Sequence, residues 1–207
     1  MIAVVDYGQP DVALLARAIR EVSERVEIVP SADRLARASK LVVGGCGAFG
    51  AMVRGLRDRS LVRSIVRVIL DGRPYLGIGL GMQLLLDVSY QDGQHTGLGV
   101  IPGKSIPFES DTQHPVRRQF RPPHLGWAPV RWAAPCPLLS GLTSGESFFF
   151  EHSSHSQTLD RSLCAAQANF GIDFSAVIWD GRMFGTQFLP ERSQDAGRKL
   201  LTNFVAM

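Results

Sequence analysis

Short apolar runs alternate with amphipathic stretches over the first 90 residues, and this alternation limits the fold more than any other feature. Residues 2–7 predict a buried strand, and apolar side chains at i, i+3, i+4 and i+7 then predict a helix capped by Asp11. Further strands are predicted at 25–29, 40–43 and 74–78, and further helices at 61–70 and 82–88. Strands that alternate with helices are typical of a parallel sheet covered by helices on both faces.

The second half of the chain is richer in strand patterns. Short strands are predicted at 97–108, 127–132, 148–154, 164–170 and 176–188, an excursion loop at 111–124, and a closing amphipathic helix at 194–204. Residues 176–188 predict a hairpin in which Asp180 and Gly181 supply the positive φ of a type I′ turn. A chain of 207 residues fits one domain. We therefore expect residues 1–207 to form a single α/β domain, a three-layer sandwich whose mostly parallel central sheet carries an antiparallel extension.

Composition and charge argue against several classes of protein. The 22 basic and 19 acidic side chains leave a thinly spread net charge of +3, which does not suit a nucleic-acid-binding surface. No apolar stretch approaches the ~18 residues that a membrane-spanning helix needs. The N-terminus lacks a basic flank and does not resemble a signal peptide, so we expect a cytoplasmic protein. Three widely spaced cysteines, Cys46, Cys136 and Cys164, indicate neither a disulfide framework nor a zinc site, and the last two are expected to pack in the interior.

A first glycine-rich turn follows the predicted strand at 40–43. Residues 45–50, GCGAFG, match the G-x-G-x-x-G pattern of dinucleotide-binding sites. Against that interpretation, the pattern does not follow the first strand, and the acidic residue about 20 positions on, Asp71, ends a predicted helix. Two other interpretations stay open: a purely structural turn, and a loop whose backbone N–H groups hold an oxyanion.

A second glycine-rich turn has the layout of a nucleophile elbow. Residues 74–86 predict a strand, a tight turn at GIGLG and a helix, as in the pattern G-x-nucleophile-x-G. The central residue of a working elbow is Ser or Cys, whereas here it is Gly79, which has no side chain. A turn without chemistry is therefore an equally open interpretation of this motif alone.

Seven motifs in a fixed order make the family recognisable. They are 6–8 (DYG), 45–50 (GCGAFG), 76–83 (LGIGLGMQ), 97–104 (GLGVIPGK), 123–127 (PHLGW), 150–153 (FEHS) and 188–193 (FLPERS). From Met1 to about Val205 the chain resembles the glutaminase subunits of imidazole glycerol phosphate synthase, which are class I glutamine amidotransferases of histidine biosynthesis. The resemblance implies the flavodoxin-like sandwich of that class.

Two catalytic residues of the family are absent. The resemblance places the family's catalytic Cys at Gly79 and its catalytic His at Leu189, and only the third triad member is retained, as Glu191. Hydrolysis of glutamine in this family needs a thiolate to form a thioester and an imidazole to move protons. We therefore expect a pseudoenzyme without glutaminase activity. The family's first turn, DYGMGN, is altered as well, to DYGQPD at 6–11.

The resemblance also implies roles for residues that are retained. Gln83, Gly45, Gly47 and Ser153 correspond to substrate-binding positions, so that glutamine binding stays possible. His124 and Trp127 would lie near the partner. That partner is a (β/α)₈-barrel cyclase, with which the chain would form a heterodimer. No cofactor and no metal are implied.

Several alternatives stay open. Cys46 is the nearest spare thiol, and His152 or His155 would have to act as its base for glutaminase activity to persist. The two histidines could also suggest metal ligands, although we expect them on opposite sides of a buried strand. Trp127 could fill the core instead of an interface. The vacant pocket could serve a stand-alone small-molecule binding protein.

Overall fold

A computed structural model describes residues 1–109 and 120–207. Its strands are β1 (Ile2–Val5), β2 (Val26–Val29), β3 (Lys40–Gly45), β4 (Tyr75–Gly79), β5 (Val88–Ser89), β6 (His95–Thr96), β7 (Gly103–Pro107), β8 (His124–Pro129), β9 (Ser147–His152), β10 (Ser154–Thr158), β11 (Cys164–Asn169), β12 (Asp173–Asp180) and β13 (Met183–Thr186). Its α-helices are α1 (Asp11–Arg20), α2 (Ala32–Leu35), α3 (Phe49–Asp58), α4 (Val62–Leu70), α5 (Leu80–Gln83) and α6 (Gln194–Ala206). Single turns of 3-10 helix lie at Pro137–Leu139, Arg161–Leu163 and Pro190–Arg192.

A seven-stranded sheet forms the centre of the fold, in the order β11-β12-β13-β4-β3-β1-β2. The five strands from β13 to β2 pair in parallel, and β11 and β12 extend the sheet in antiparallel fashion. A four-stranded sheet, β10-β7-β5-β6, and a two-stranded ribbon, β8-β9, lie beside it. The expected α/β architecture with an antiparallel extension is confirmed.

The central strands are buried on both faces, which requires a layer of helices on each side. Every residue of β1 and β4 is buried, and helices contribute only one apolar face each, as α1 does with Val12, Leu15, Ala16 and Ile19. Among the helices in the described part of the chain, none is long and apolar enough to cross a membrane.

Two helices differ from the sequence prediction. The helix predicted at 82–88 is only the four residues of α5, because the chain then turns and Val88 pairs with Lys104 in a sheet. Leu84, Leu85 and Leu86 are fully buried, and an apolar run buried on all sides has no helical period to read. Helix α3 was not predicted, although its buried residues Phe49, Met52, Val53 and Leu56 have helical spacing. The short helix α2 was not predicted either.

Three further predictions of local structure are wrong in detail. Pro10 occupies the N-cap of α1, and Asp11 is the first helical residue without a capping hydrogen bond, because its carboxylate binds other partners. In the β12–β13 hairpin only Gly181 has positive φ, as in a type II′ turn rather than the predicted type I′. The strand predicted at 97–108 is confined to β7. Much of the loop predicted at 111–124 lies outside the described residues.

Candidate functional site

The chemistry-bearing motifs meet at one edge of the central sheet. The glycine loop 45–47 follows β3, Gly79 ends β4, and residues 187–193 follow β13. These three strands are parallel neighbours, so their carboxyl ends lie side by side. The crevice outside the carboxyl ends of parallel strands is where open α/β sheets bind ligands.

Gly79 has the backbone of a nucleophile elbow. Its φ of 57° and ψ of −112° lie in a region that L-residues with side chains rarely adopt. A Cβ on Gly79 would stand 2.5 Å from the carbonyl oxygen of Gly45 and 3.4 Å from Cδ2 of Leu189. The elbow predicted from the sequence is therefore present, and the carbonyl of the neighbouring loop fills the space of its side chain.

Leu189 and Glu191 lie beyond the end of the next strand along the edge, β13. Leu189 is 1% exposed, and its N–H donates to the Phe149 carbonyl (2.9 Å). Oε2 of Glu191 is buried with no hydrogen-bond partner among the described residues. Burial, together with the nearby carboxylates of Asp11 and Glu151, raises the pKa of Glu191 to about 7, although Arg192 opposes the shift. The position expected for the base is thus apolar, and one oxygen of the retained acid is unsatisfied within the described residues.

The four residues expected to bind substrate do come together. Gly45, Gly47, Gln83 and Ser153 line one cleft, together with Cys46, Leu80, Gln91, Glu151, His152, Ser154 and Gln187. The cleft encloses only about 10 Å³. A cavity needs roughly 10–15 Å³ to hold a single water molecule, so in this structure the cleft has room for about one.

Gln83 is turned into the interior. Its side chain is 1% exposed, and its amide nitrogen donates to the Ser154 carbonyl (3.2 Å) and to Oε1 of Gln187 (3.1 Å). Its amide oxygen accepts a hydrogen bond from the Ser105 hydroxyl (2.9 Å). In this arrangement Gln83 connects α5 to β7 and β10, and its polar groups are occupied.

Gln91, which belongs to none of the recognised motifs, bridges the walls of the cleft. Its amide nitrogen donates to the Gly47 carbonyl (2.9 Å) and to Oγ of Ser153 (3.2 Å), and its oxygen accepts the Phe49 N–H (3.1 Å). No sequence signal marked this residue, because its partners lie 42 to 62 positions away.

Arg192 was also missed, and it joins three elements at the mouth of the cleft. Its guanidinium contacts Glu151 on β9 at 2.6 Å and Asp11 on α1 at 3.8 Å. All three side chains are about one-third exposed. The altered turn at 6–11 was the sequence feature that could have pointed to these contacts, since it introduces Asp11.

Cys46 is held as a thiol. It donates to Oδ2 of Asp11 (3.0 Å), and burial, together with this carboxylate, raises its pKa to about 12. A thiol with such a pKa is a poor nucleophile at neutral pH. The Cys46 alternative requires a histidine partner and a lowered pKa, whereas within the described ranges the thiol is hydrogen-bonded to a carboxylate and its pKa is raised.

His124 and His152 form a buried pair. Nδ1 of His152 donates to the Ser154 carbonyl (2.8 Å), which leaves Nε2 to accept from Nδ1 of His124 (3.0 Å). Burial lowers the pKa of His124 to about 4 and that of His152 to about 3, so both rings are neutral. His124 stacks between Phe150 and Phe170 and is 6% exposed, which does not suit its expected place at an interface.

Metal binding receives no geometric support within the described ranges. Both ring nitrogens of His152 are already in hydrogen bonds, and no cluster of three His, Cys, Asp or Glu side chains suits a metal ion in this part of the chain.

Asp71, the acidic residue of the dinucleotide interpretation, lies just beyond α4 and binds Arg73 (2.7 Å).

Trp127 lies on the surface. Its side chain is 48% exposed and meets Phe149 edge-on at 5.9 Å, and Leu125, two residues earlier on β8, is 63% exposed. The alternative that Trp127 fills the core is therefore wrong. Cys136 is buried as expected, and Cys164 is half-buried.

Comparisons with known proteins agree with this arrangement. The profile of the family "Glutamine amidotransferase class-I" matches residues 3–207. The chain is 37% identical, over 207 residues and the full length of both chains, to the "Imidazole glycerol phosphate synthase subunit HisH" of Syntrophotalea carbinolica. It is 34% identical to the HisH subunit of Geobacter sulfurreducens over 206 residues, which cover 100% of this chain and 98% of the relative.

Solved structures show the same fold at lower identity. The structure of PurLQS from Thermotoga maritima superimposes with a TM-score of 0.75 at 16% identity, covering 99% of this chain and 97% of that one. A glutamine amidotransferase crystal structure gives a TM-score of 0.70 at 15% identity, covering 99% and 100%.

Proposed function

The chain belongs to the class I glutamine amidotransferases, in the branch of the HisH subunits of imidazole glycerol phosphate synthase, and we propose that it is a docking subunit without glutaminase activity. In this proposal residues 1–207 act as one domain in a cytoplasmic heterodimer with a (β/α)₈-barrel cyclase. The ammonia for the cyclase comes from solution instead of from glutamine.

One observation carries the proposal: the elbow residue Gly79 has no side chain, and its neighbour at the base position is the apolar Leu189. Removing the nucleophile of a catalytic triad costs about 10⁶ in rate, or roughly 8 kcal/mol of transition-state stabilisation. Removing the base as well adds little, because the two groups act as a unit. Glu191 then has no imidazole to orient.

The competing functions receive less support. A still-active amidotransferase would need a thiolate, and Cys46 with a pKa of about 12 does not supply one. A stand-alone binding protein would need room for its ligand, and the cleft encloses about 10 Å³.

The exposed ribbon supports a role in docking. Leu125 and Trp127 project from the same face of β8, and Phe149 of β9 lies against the indole ring. Aromatic anchors of this kind are enriched among the residues that dominate binding energy at protein interfaces. The ribbon adjoins the cleft, since Glu151 and His152 at the end of β9 line it.

Co-purification with the candidate cyclase tests the proposal. We expect a stable complex whose synthesis reaction runs with an ammonium salt and not with glutamine. Trp127→Ala should weaken the complex without lowering the melting temperature, and Trp179→Ala, at a half-buried Trp on β12, serves as the control. A complex that forms equally well with Trp127→Ala would rule out the ribbon as the docking surface.

A further inference from the structure

The closed cleft contains a glutamine side chain that belongs to the chain itself. Gln91 is 9% exposed, and its side chain lines the cleft together with the four residues expected to bind substrate. It reaches there from the loop that follows β5.

The carboxamide of Gln91 is fully engaged with the cleft walls. Its nitrogen donates to the Gly47 carbonyl and to the Ser153 hydroxyl, and its oxygen accepts the Phe49 N–H at the start of α3. A carboxamide offers two donor hydrogens and an acceptor oxygen, so these three contacts satisfy both kinds of group. Two of its partners, Gly47 and Ser153, are themselves among the four residues expected to bind substrate.

We propose that Gln91 is a built-in substitute for the substrate, which occupies the vacated glutamine site and excludes free L-glutamine. The inference rests on the proposed function for the identity of the cleft. It goes further, because loss of the nucleophile and base alone would leave a site that still binds glutamine.

The space that remains agrees with this assignment. The cleft has room for about one water molecule, whereas glutamine is a whole amino acid with two charged groups. A ligand would also have to replace three hydrogen bonds that are already made, and buried polar groups left unpaired are costly. Removing the Gln91 side chain frees both the space and the polar groups.

Titration with L-glutamine, followed by calorimetry and ligand-observed NMR, tests the proposal. Gln91→Ala should bind with an affinity at least about tenfold above that of the wild type, for which we expect no saturation. Gln91→Leu, which fills the space without the amide, should not bind. Gln94→Ala removes an exposed glutamine from the same loop and should behave as the wild type. D-glutamine controls for non-specific binding.

Saturable binding of L-glutamine to the wild type with the affinity of Gln91→Ala would overturn the proposal. A folded Gln91→Ala that binds no better than the wild type would also overturn it. If Gln91→Ala does not fold, Gln91→Asn, whose amide is one methylene shorter, carries the same expectation. Ammonia is measured in the same samples: its release would contradict the proposed function, whereas the binding pattern alone decides the role of Gln91.

Discussion

Gly79 keeps the left-handed backbone of an elbow residue although it carries no side chain. Glycine adopts such a φ without steric cost, whereas a residue with a Cβ is strained there. The Gly45 carbonyl adds a second constraint, since it lies 2.5 Å from the place of that Cβ. The elbow is therefore relaxed here because its side chain is absent.

Gly79→Ala should lower the free energy of unfolding by about 1–3 kcal/mol from backbone strain, and further through the contact with Gly45. Gly181→Ala is the matched control, because Gly181 has a φ of 56° with nothing within 4 Å of its Cβ position. Urea unfolding of both variants separates the two contributions. Equal losses of unfolding free energy in the two variants would show that the Gly45 carbonyl moves aside at little energetic cost.

Glu191→Gln should stabilise the protein at high pH. The folded state raises the pKa of Glu191 to about 7 from the usual 4.5, so the folded chain disfavours the carboxylate. The resulting penalty is absent below about pH 4.5, grows as the pH rises, and is complete above about pH 7. We expect a gain on the order of 3 kcal/mol at pH 8 that disappears towards pH 4.5.

Unfolding curves at several pH values provide the measurement for Glu191→Gln. The exposed Glu21 is the control, because Glu21→Gln should show no such trend. A gain that does not depend on pH would mean that packing, not charge, is responsible.

At the scale of elements, the ribbon, α1 and the 3-10 turn at Pro190–Arg192 are tied together at the mouth of the cleft. Arg192 contacts Glu151 of β9 and Asp11 of α1, and the thiol of Cys46 shares Asp11. These contacts connect three separate segments across the site.

Arg192→Ala should cost about 0.5–1 kcal/mol of stability and increase hydrogen exchange in β9. The effect should shrink in 1 M salt, because the side chains are partly exposed and salt screens their charges. Arg34→Ala, which removes the more exposed pair with Glu27, should have a smaller effect. Unchanged exchange in β9 would indicate that the ion pair does not hold the ribbon.

The same elements show what could be predicted from sequence. The strands β1, β3 and β4 were found within two residues because they are buried on both faces and end at glycine or polar residues. The end of α5 could not be found, since its apolar sequence continues through a fully buried turn. Gly79, Leu189 and Glu191 were located through the family resemblance. Gln91 and Arg192 act only through contacts that the folded chain creates.

At the scale of the whole molecule, the proposed loss of glutaminase activity involves more than two side chains. The base position is apolar, the nucleophile position is blocked by the Gly45 carbonyl, and Gln91 fills the cleft. Restoring the catalytic residues alone therefore leaves the substrate without a site.

The double variant Gly79→Cys with Leu189→His should form at most a trace of glutamyl thioester. Adding Gln91→Ala should increase the thioester by about tenfold or more, since the cleft is then open, and the new thiol at a helix start is favoured as thiolate. Each variant is incubated with glutamine, and intact-mass spectrometry measures the amount of glutamyl thioester. A measurable and equal amount of adduct in the double and triple variants would show that Gln91 does not limit access, whereas no adduct in either would point to the Gly45 carbonyl beside the new side chain.

The most direct test of the proposed absence of glutaminase activity follows the amide nitrogen of glutamine. The wild-type protein, alone and mixed with the candidate cyclase, is incubated with glutamine labelled at the amide with ¹⁵N, and labelled ammonium is measured by NMR. Because neither Gly79 nor Leu189 supplies a reactive group, we expect no more labelled ammonium than in buffer. Labelled ammonium formed at a rate within about tenfold of an ordinary amidotransferase, in a preparation free of contaminating glutaminase, would contradict the proposed function.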